Sequence, residues 1–230
     1  YGQMGVVGVV RSVVPNPGLA WQRFMEGGPL AFLPLQDGAS SIVWSRPEAD
    51  AARLLGLDEG DFLAELRQAA AGGAGHWPGA LAGCGPRAAF PLTMRLSDRY
   101  HARGAVLIGD AAHVVHPLAG QGVNLGLLDA AALTEVLVDA RRRQEDIAAE
   151  ATLVRYGRWR RSEAEIMARG IHGIRGLFMP EELGLLRRLG IGLVSRSWTA
   201  KDAVIRRATG RNRDAPALAR GVALAELLRQ

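Results

Sequence analysis

Between residues 105 and 128 lie the side chains whose types and spacing suit them to chemistry. The apolar run Ala105-Val106-Leu107-Ile108 ends at Gly109-Asp110, and Gly120, Gly122 and Gly126 follow among small and amide residues. Such a run reads as a buried strand covered on both faces. A carboxylate at its end stands where ligands of layered α/β proteins lie, and accepts hydrogen bonds from sugar or polyol hydroxyls. Asp110 suits a helix cap equally well. Val123, Leu127, Leu128, Leu133, Val136 and Leu137 fall at helical spacing, so a helix begins near Gln121 to Asn124. Its first N–H groups lack intrahelical partners, and glycine lets a flat, anionic or electron-rich group approach them. The bland alternative is a glycine-rich helix start that only packs against the sheet.

Other candidates are weaker. His113 and His116 are three residues apart, but no carboxylate or thiolate sits at ligand spacing and Pro117 follows directly. They are read as orienting the loop by hydrogen bonds, and no metal is expected. Gly73-Ala74-Gly75 has no strand before it and no clear helix after it, which argues against a nucleotide loop. Cys84 lies between two glycines without a neighbouring base, so an unreactive thiol is expected.

The elements that must position these groups begin with short strand candidates over 4–14, 20–25, 30–35 and 40–45. Turns at Pro15-Asn16-Pro17-Gly18, Glu26-Gly27-Gly28-Pro29 and Gln36-Asp37-Gly38 separate them, which predicts an antiparallel meander. Residues 58–70 form an amphipathic helix with Phe62, Leu63 and Leu66 inward, stopped at Gly72-Gly73. The Gly- and Pro-rich stretch 71–86 reads as a loop, and strands resume over 87–94 and 100–108. Helices follow over 127–143 and 147–172, with Arg141-Arg142-Arg143 in the last turn of the first. Residues 173–179 read as a break. Pro180-Glu181-Glu182 opens a third helix striped by Leu183, Leu186, Leu189, Leu193 and Val194, a basic stretch covers 201–207, and 217–228 is a short amphipathic helix.

Composition suits a soluble globular chain of 230 residues, 48% hydrophobic, able to bury a sizeable core. A single cysteine rules out an internal disulfide and points to a reducing compartment, the cytoplasm. No stretch reads as a signal peptide or a spanning helix. Charge is uneven: residues 1–140 carry 9 Lys/Arg against 13 Asp/Glu, and residues 141–230 carry 19 against 10. A basic end of this kind meets anionic lipid, an acidic partner or solvent. Nucleic acid is not expected, because no recognition module accompanies the charge.

Gly109-Asp110-Ala111-Ala112-His113 through Gly120-Gln121-Gly122-Val123-Asn124-Leu125-Gly126 resembles the second flavin motif of class A FAD-dependent aromatic hydroxylases, the para-hydroxybenzoate hydroxylase fold. The nearer likeness is to the ubiquinone-biosynthesis hydroxylases of polyprenylated phenols. Support comes from Gly28-Pro29-Leu30-Ala31-Phe32-Leu33-Pro34-Leu35, Val43-Trp44-Ser45, Phe90-Pro91-Leu92 and Arg155-Tyr156-Gly157-Arg158-Trp159-Arg160-Arg161. The resemblance implies a mixed α/β fold: an antiparallel β-sheet substrate domain over 1–97, part of an FAD-binding domain over 98–145 and a helical carboxyl-terminal region over 146–230.

It also implies that Gly109, Asp110, Pro117, Gly120, Gln121, Gly122, Val123 and Asn124 contact FAD, with Asp110 on the ribityl chain. The amides around Gly122 and Val123 would stabilise negative charge on the reduced flavin. Implied as well is the reaction: NAD(P)H reduces the flavin, O2 adds to give a flavin hydroperoxide, and its distal oxygen passes to the phenol ring. Trp44 and Phe32, with Trp21 and Phe24, are candidates for the apolar wall of the substrate slot, although such aromatics also make ordinary sheet core. No residue stands out as a general base.

Gly2, Gly5 and Gly8 lie inside a strand pattern and precede no helix, so the ADP-binding Gly-x-Gly-x-x-Gly motif of such enzymes is missing. The expectation is a carboxyl-terminal portion of a longer protein, inactive alone; a degenerate relative is the alternative. Other flavin chemistry on the same scaffold (a hydroxylase of soluble aromatics, a polyprenyl reductase) and a non-catalytic scaffold subunit stay open. A polyprenyl phenol partitions into membranes, so peripheral attachment at the inner face of the plasma membrane, or contact with a ubiquinone-synthesis complex, is expected through the basic carboxyl end.

Overall fold

A computed structural model describes residues 2–71, 80–115, 122–178, 202 and 214–229. The chain divides into two compact units, the first running to Thr93 and taking in Gly176–Phe178, the second running from Met94 to Arg175 and taking in the described residues beyond 213.

In the first unit, strands β1 (Gln3–Ser12), β2 (Trp21–Arg23), β3 (Leu30–Pro34), β4 (Ser40–Pro47) and β5 (Leu81–Pro91) form one sheet in the order β2-β3-β4-β1-β5. Every neighbouring pair is antiparallel, and β2, β3 and β4 follow the meander that the turns predict, but β1 lies between β4 and β5 rather than beside β2. Register puts Val6 and Leu30 opposite Trp44, and Phe32 opposite Ile42, all on one buried face. Helices α1 (Glu48–Gly56) and α2 (Glu59–Ala70) cover that face with Leu54, Phe62, Leu63 and Leu66. On α2, Asp58 accepts from the Asp61 amide at 2.8 Å, a side-chain cap that fixes the start the sequence predicts. On the other face Val9, Leu33 and Phe90 are 39%, 43% and 59% exposed.

Two further elements of this unit differ from expectation. Helix α1 was not foreseen; Pro47 precedes it without a side-chain cap, and its buried positions are only Ala51 and Leu54. Residues 81–86, expected in a loop, belong to β5. That strand is an edge, where a proline without an N–H and a bulge are both tolerated. The bulge is visible in the register, which passes from Gly8 opposite Arg87 to Val10 opposite Cys84.

The second unit is built on α3 (Gly122–Arg142) and α4 (Glu150–Phe178), which pack over short ladders: β6 (Arg95–Leu96) with β9 (His113–Val114), and β7 (His101–Ala102) with β8 (Ala105–Val106). Tyr100, Ala112, Ala132, Val136, Tyr156 and Ala164 form one core cluster, so α4 shares its core with α3. The described part of 146–230 is thereby continuous in packing with 98–145.

The single strand expected over 100–108 is instead the β7–β8 hairpin. Nor is Ala105–Ile108 covered on both faces: Leu107 and Ile108 are 37% and 43% exposed. Four aliphatic residues read as two-sided burial, but among the described residues β8 pairs with β7 alone. Helix α4 runs on past Gly173, where a break was expected; a helical glycine costs about 1 kcal/mol and need not end the helix. The 217–228 segment is a turn of 3-10 helix at Ala217–Arg220, a left-handed Gly221 and a single helical turn at Leu224–Leu227. The expected third helix at 180–194 and the basic stretch 201–207 lie outside the described residues, apart from Asp202.

Candidate functional site

Asp110 sits at the centre of a three-residue turn, Gly109–Ala111, entered from extended backbone at Ile108 and closed by the Ala112 N–H donating to the Gly109 carbonyl at 2.9 Å. Its side chain is exposed and takes no hydrogen bond from the described residues. Gly109 adopts φ +58°, a left-handed conformation that favours glycine. Helix α3 crosses this turn at Gly126, where a Cβ would lie 3.3 Å from the Gly109 Cα. Two glycines thus let helix and turn backbones touch.

The opening of α3 precedes that contact by one turn. Gly122 faces open space, Val123 is 75% exposed, Asn124 is exposed, and no acidic side chain occupies the first turn. Helix amides at this end carry partial positive charge. An outward carboxylate and an exposed, electropositive helix start therefore flank one contact. Together they can accept hydrogen bonds from hydroxyls and donate to an electron-rich edge. Pro117, Gly120 and Gln121, together with His116, lie outside the described residues.

Beneath the turn lies a buried polar cluster that sequence reasoning missed. Asp129 is 0% exposed; its Oδ2 accepts from the Gly109 amide at 2.8 Å and from His113 Nε2 at 2.6 Å, and its Oδ1 accepts from Arg160 Nε at 2.7 Å. Because the acceptor is a carboxylate, the His113 proton resides on Nε2. His113 orients the loop by a hydrogen bond, as read from the sequence, but its partner went unforeseen. A signal was present: Asp129 occupies the inward stripe of α3 with Leu125, Ala132 and Val136, and Arg160 lies between Tyr156 and Ala164 on the inward face of α4. A charge at such a position marks a buried pair.

Burial alone would push the Asp129 carboxyl up, but the hydrogen bonds from His113, Arg160 and Gly109 outweigh it and hold the group below its ordinary value. Tyr100, whose ring centroid lies 5.9 Å from that of His113, has its hydroxyl pushed up to about 12, chiefly by burial and next by the Asp129 charge. Both phenols near the cluster are thereby kept neutral, since Tyr156 is raised for the same reasons and donates to the Leu107 carbonyl at 2.8 Å.

Phe32 and Trp44 lie in the core of the first unit, the second of the two places that the sequence leaves open for them. Phe32 is 0% exposed with its ring centroid 5.5 Å from Trp21, and Trp44 is 3% exposed at 6.3 Å from Phe62. Both point to the helix-covered face of the sheet, because the two-residue period places them with Leu30 and Ile42 rather than with Leu33. Cys84 is half-buried, and burial raises its thiol.

The profile of the family described as FAD binding domain matches residues 4–170. The chain belongs to this family. Among curated relatives of this FAD-binding chain, the ubiquinone hydroxylase UbiL of Rhodospirillum rubrum is 37% identical over 229 residues, covering 97% of the chain and 52% of the relative. The 3-demethoxyubiquinol 3-hydroxylase of Escherichia coli is 39% identical over 196 residues, covering 83% and 48%. A solved structure, pqsL, a probable FAD-dependent monooxygenase from Pseudomonas aeruginosa, superposes with a TM-score of 0.61 at 24% identity over 80% of the chain and 50% of its own, a likeness of fold. The chain spans about half the length of the curated relatives it matches.

The residues fit part of the family's cofactor. FAD offers ribityl hydroxyls, for which Asp110 is an exposed acceptor, and an electron-rich ring edge, for which the N–H groups of the exposed residues Val123 and Asn124 would be donors. Gly5 and Gly8 are strand residues of β1 paired with Ser45 and Ile42, so they form no dinucleotide loop.

Proposed function

We propose that this protein acts as an FAD-dependent monooxygenase that hydroxylates the aromatic ring of a polyprenylated ubiquinone precursor, with NAD(P)H and O2 as co-substrates. The observation that carries the reading is the outward Asp110 carboxylate at the turn crossed by the first turns of α3. Support for the substrate class comes from the two curated relatives, whose names are those of hydroxylases acting on ubiquinone or demethoxyubiquinol.

Bound FAD supplies the redox chemistry that places one atom of O2 in the ring and releases the other as water. The residues of this chain hold and orient it. Asp110 would accept from the ribityl hydroxyls, and the amides of Gly122, Val123 and Asn124 would donate to the ring, where the helix dipole favours negative charge. No side chain among the described residues is assigned as a general base.

The substrate is collected at a membrane surface. No helix among the described residues is long and apolar enough to cross a bilayer, and the chain's positive charge is concentrated in 141–230. Basic segments of this kind adhere to anionic leaflets. Flotation of the full-length protein with anionic liposomes, against a truncation near Gly176, tests this; equal flotation removes the attachment proposal.

The central test is the absorption spectrum of the purified full-length protein. Yellow flavin bands that weaken in Asp110→Ala, with far-UV circular dichroism unchanged, are the expected result. A colourless, folded protein that does not take up added FAD points instead to a scaffold subunit. Product analysis with prenylated and soluble phenols then separates the ubiquinone pathway from hydroxylation of soluble aromatics.

A further inference from the structure

Asp129 draws donors from three separate places. The Gly109 amide belongs to the turn before Asp110, His113 to β9 and Arg160 to α4, while Asp129 itself is on α3. Side-chain exposure is 0% for His113 and Asp129 and 2% for Arg160, so water does not compete for these bonds. Apolar residues of similar volume in place of the whole Asp129–Arg160 pair would fill the space at comparable stability. Apolar packing is non-directional, however, and would leave the Gly109 N–H without an acceptor.

Direction is what the turn requires. Gly109 is held at two points by successive turns of α3: its Cα rests against Gly126, and its N–H is bonded to Asp129. One contact sets the distance between turn and helix, and the other sets the rotation of the Ile108–Gly109 peptide. Asp110 is the next residue, so the direction of its carboxylate follows from that peptide. Arg160 and His113 in turn hold the Asp129 carboxylate in place, each on a different oxygen. The opposite charges of Asp129 and Arg160 sum to zero, so the pair places no net charge beneath the turn.

We propose that Asp129, His113 and Arg160 are positioning residues: acting through the Gly109 amide, they set the orientation in which Asp110 meets the ribityl chain. This rests on the reading of the Asp110 turn as the flavin site. None of the three touches the cofactor in this arrangement; each acts at one remove.

The test uses the full-length protein and two readouts, FAD affinity by titration of the apoprotein and amide exchange of residues 105–112 without FAD. Asp129→Asn places an amide N–H against one of its donors. It is expected to speed exchange at Gly109 and to raise the FAD Kd about tenfold or more, the scale of losing a hydrogen bond to a charged group. Arg160→Lys keeps a cation beside Asp129 and is expected to lose less affinity than Arg160→Met. As a control, Glu135→Gln weakens a bond of the same unit remote from the turn, the Ala217 amide to Glu135 Oε2 at 2.7 Å. It should lower the melting temperature with Kd unchanged.

If Asp129→Asn does not fold, Arg160→Lys against Arg160→Met carries the same comparison. The proposal is overturned if the folded variants bind FAD as the parent does while Asp110→Ala does not; the flavin reading then stands. If the parent itself fails to bind FAD, both fall together.

Discussion

Gly126 approaches Gly109 so closely that a methyl group on Gly126 would sit 3.3 Å from the Gly109 Cα, a backbone atom that cannot rotate away. Gly126→Ala therefore pits a helix-propensity gain of about 1 kcal/mol against a displacement of the Asp110 turn. Melting temperature is expected to change little, because the two effects oppose each other. FAD affinity should fall several-fold, because the displaced turn carries Asp110. An alanine variant that binds FAD as tightly as the parent would show that the contact does not set the site.

How far the sequence could lead is seen by comparing α2 with β5. Asp58 and the spacing of Phe62, Leu63 and Leu66 are local signals, and α2 runs where they put it. Leu81–Pro91 carries Gly83, Gly85 and Pro86, which locally read as a loop. Pairing with β1 along an edge overrides that preference, and pairing is non-local information. The choice between pocket wall and sheet core for the aromatics stayed open for a related reason. Alternation along β3 and β4 assigns Phe32 and Trp44 to one face, but which face the helices cover depends on α1 and α2 folding back, which no strand pattern encodes.

The candidate site divides the same way. Gly109-Asp110 and the opening of α3 were legible because glycine spacing and exposed helix ends are local. Asp129 and Arg160 were not, because charged residues on helices usually face solvent and their pairing spans 31 residues of sequence.

Placement of Phe32 and Trp44 in the core has a direct consequence for mutagenesis. Trp44→Ala removes a buried indole packed edge-on to Phe62 and should destabilise the protein by about 3–5 kcal/mol, as large-to-small core substitutions do. Chemical denaturation reads that loss. Phe32→Leu is milder, and under the proposed function the full-length protein carrying it is expected to keep the parent KM for an aromatic substrate. A raised KM with unchanged stability would return Phe32 to the substrate wall.

At Gly157 the constraint comes from a side chain. A Cβ there would lie 2.6 Å from His101 Nδ1, with two further ring atoms within 3.6 Å, so α4 rests directly on the imidazole of β7. Gly157→Ala should cost about 1–3 kcal/mol through overpacking, despite the gain in helix propensity. Pairing it with His101→Ala removes the ring. The double variant is expected to be more stable than the sum of the two single changes implies, a coupling that a double-mutant cycle measures.

Acid should loosen the buried cluster. The Asp129 carboxyl titrates in the native protein below its ordinary value of 3.8, where the hydrogen bonds from His113, Arg160 and Gly109 outweigh the cost of burial. A depressed native value means that the unfolded chain binds the proton more readily. The contribution of Asp129 to stability is therefore fully present above the unfolded value and is lost as pH falls through the native one. Stability followed by chemical denaturation should decline as pH drops below about 4, and amide exchange should place the first opening at residues 105–115. In Asp129→Asn that part of the acid dependence should be missing, so its stability curve runs flatter than the parent's over the same range. An identical acid slope in both proteins would mean that Asp129 is not held as a carboxylate by its three donors.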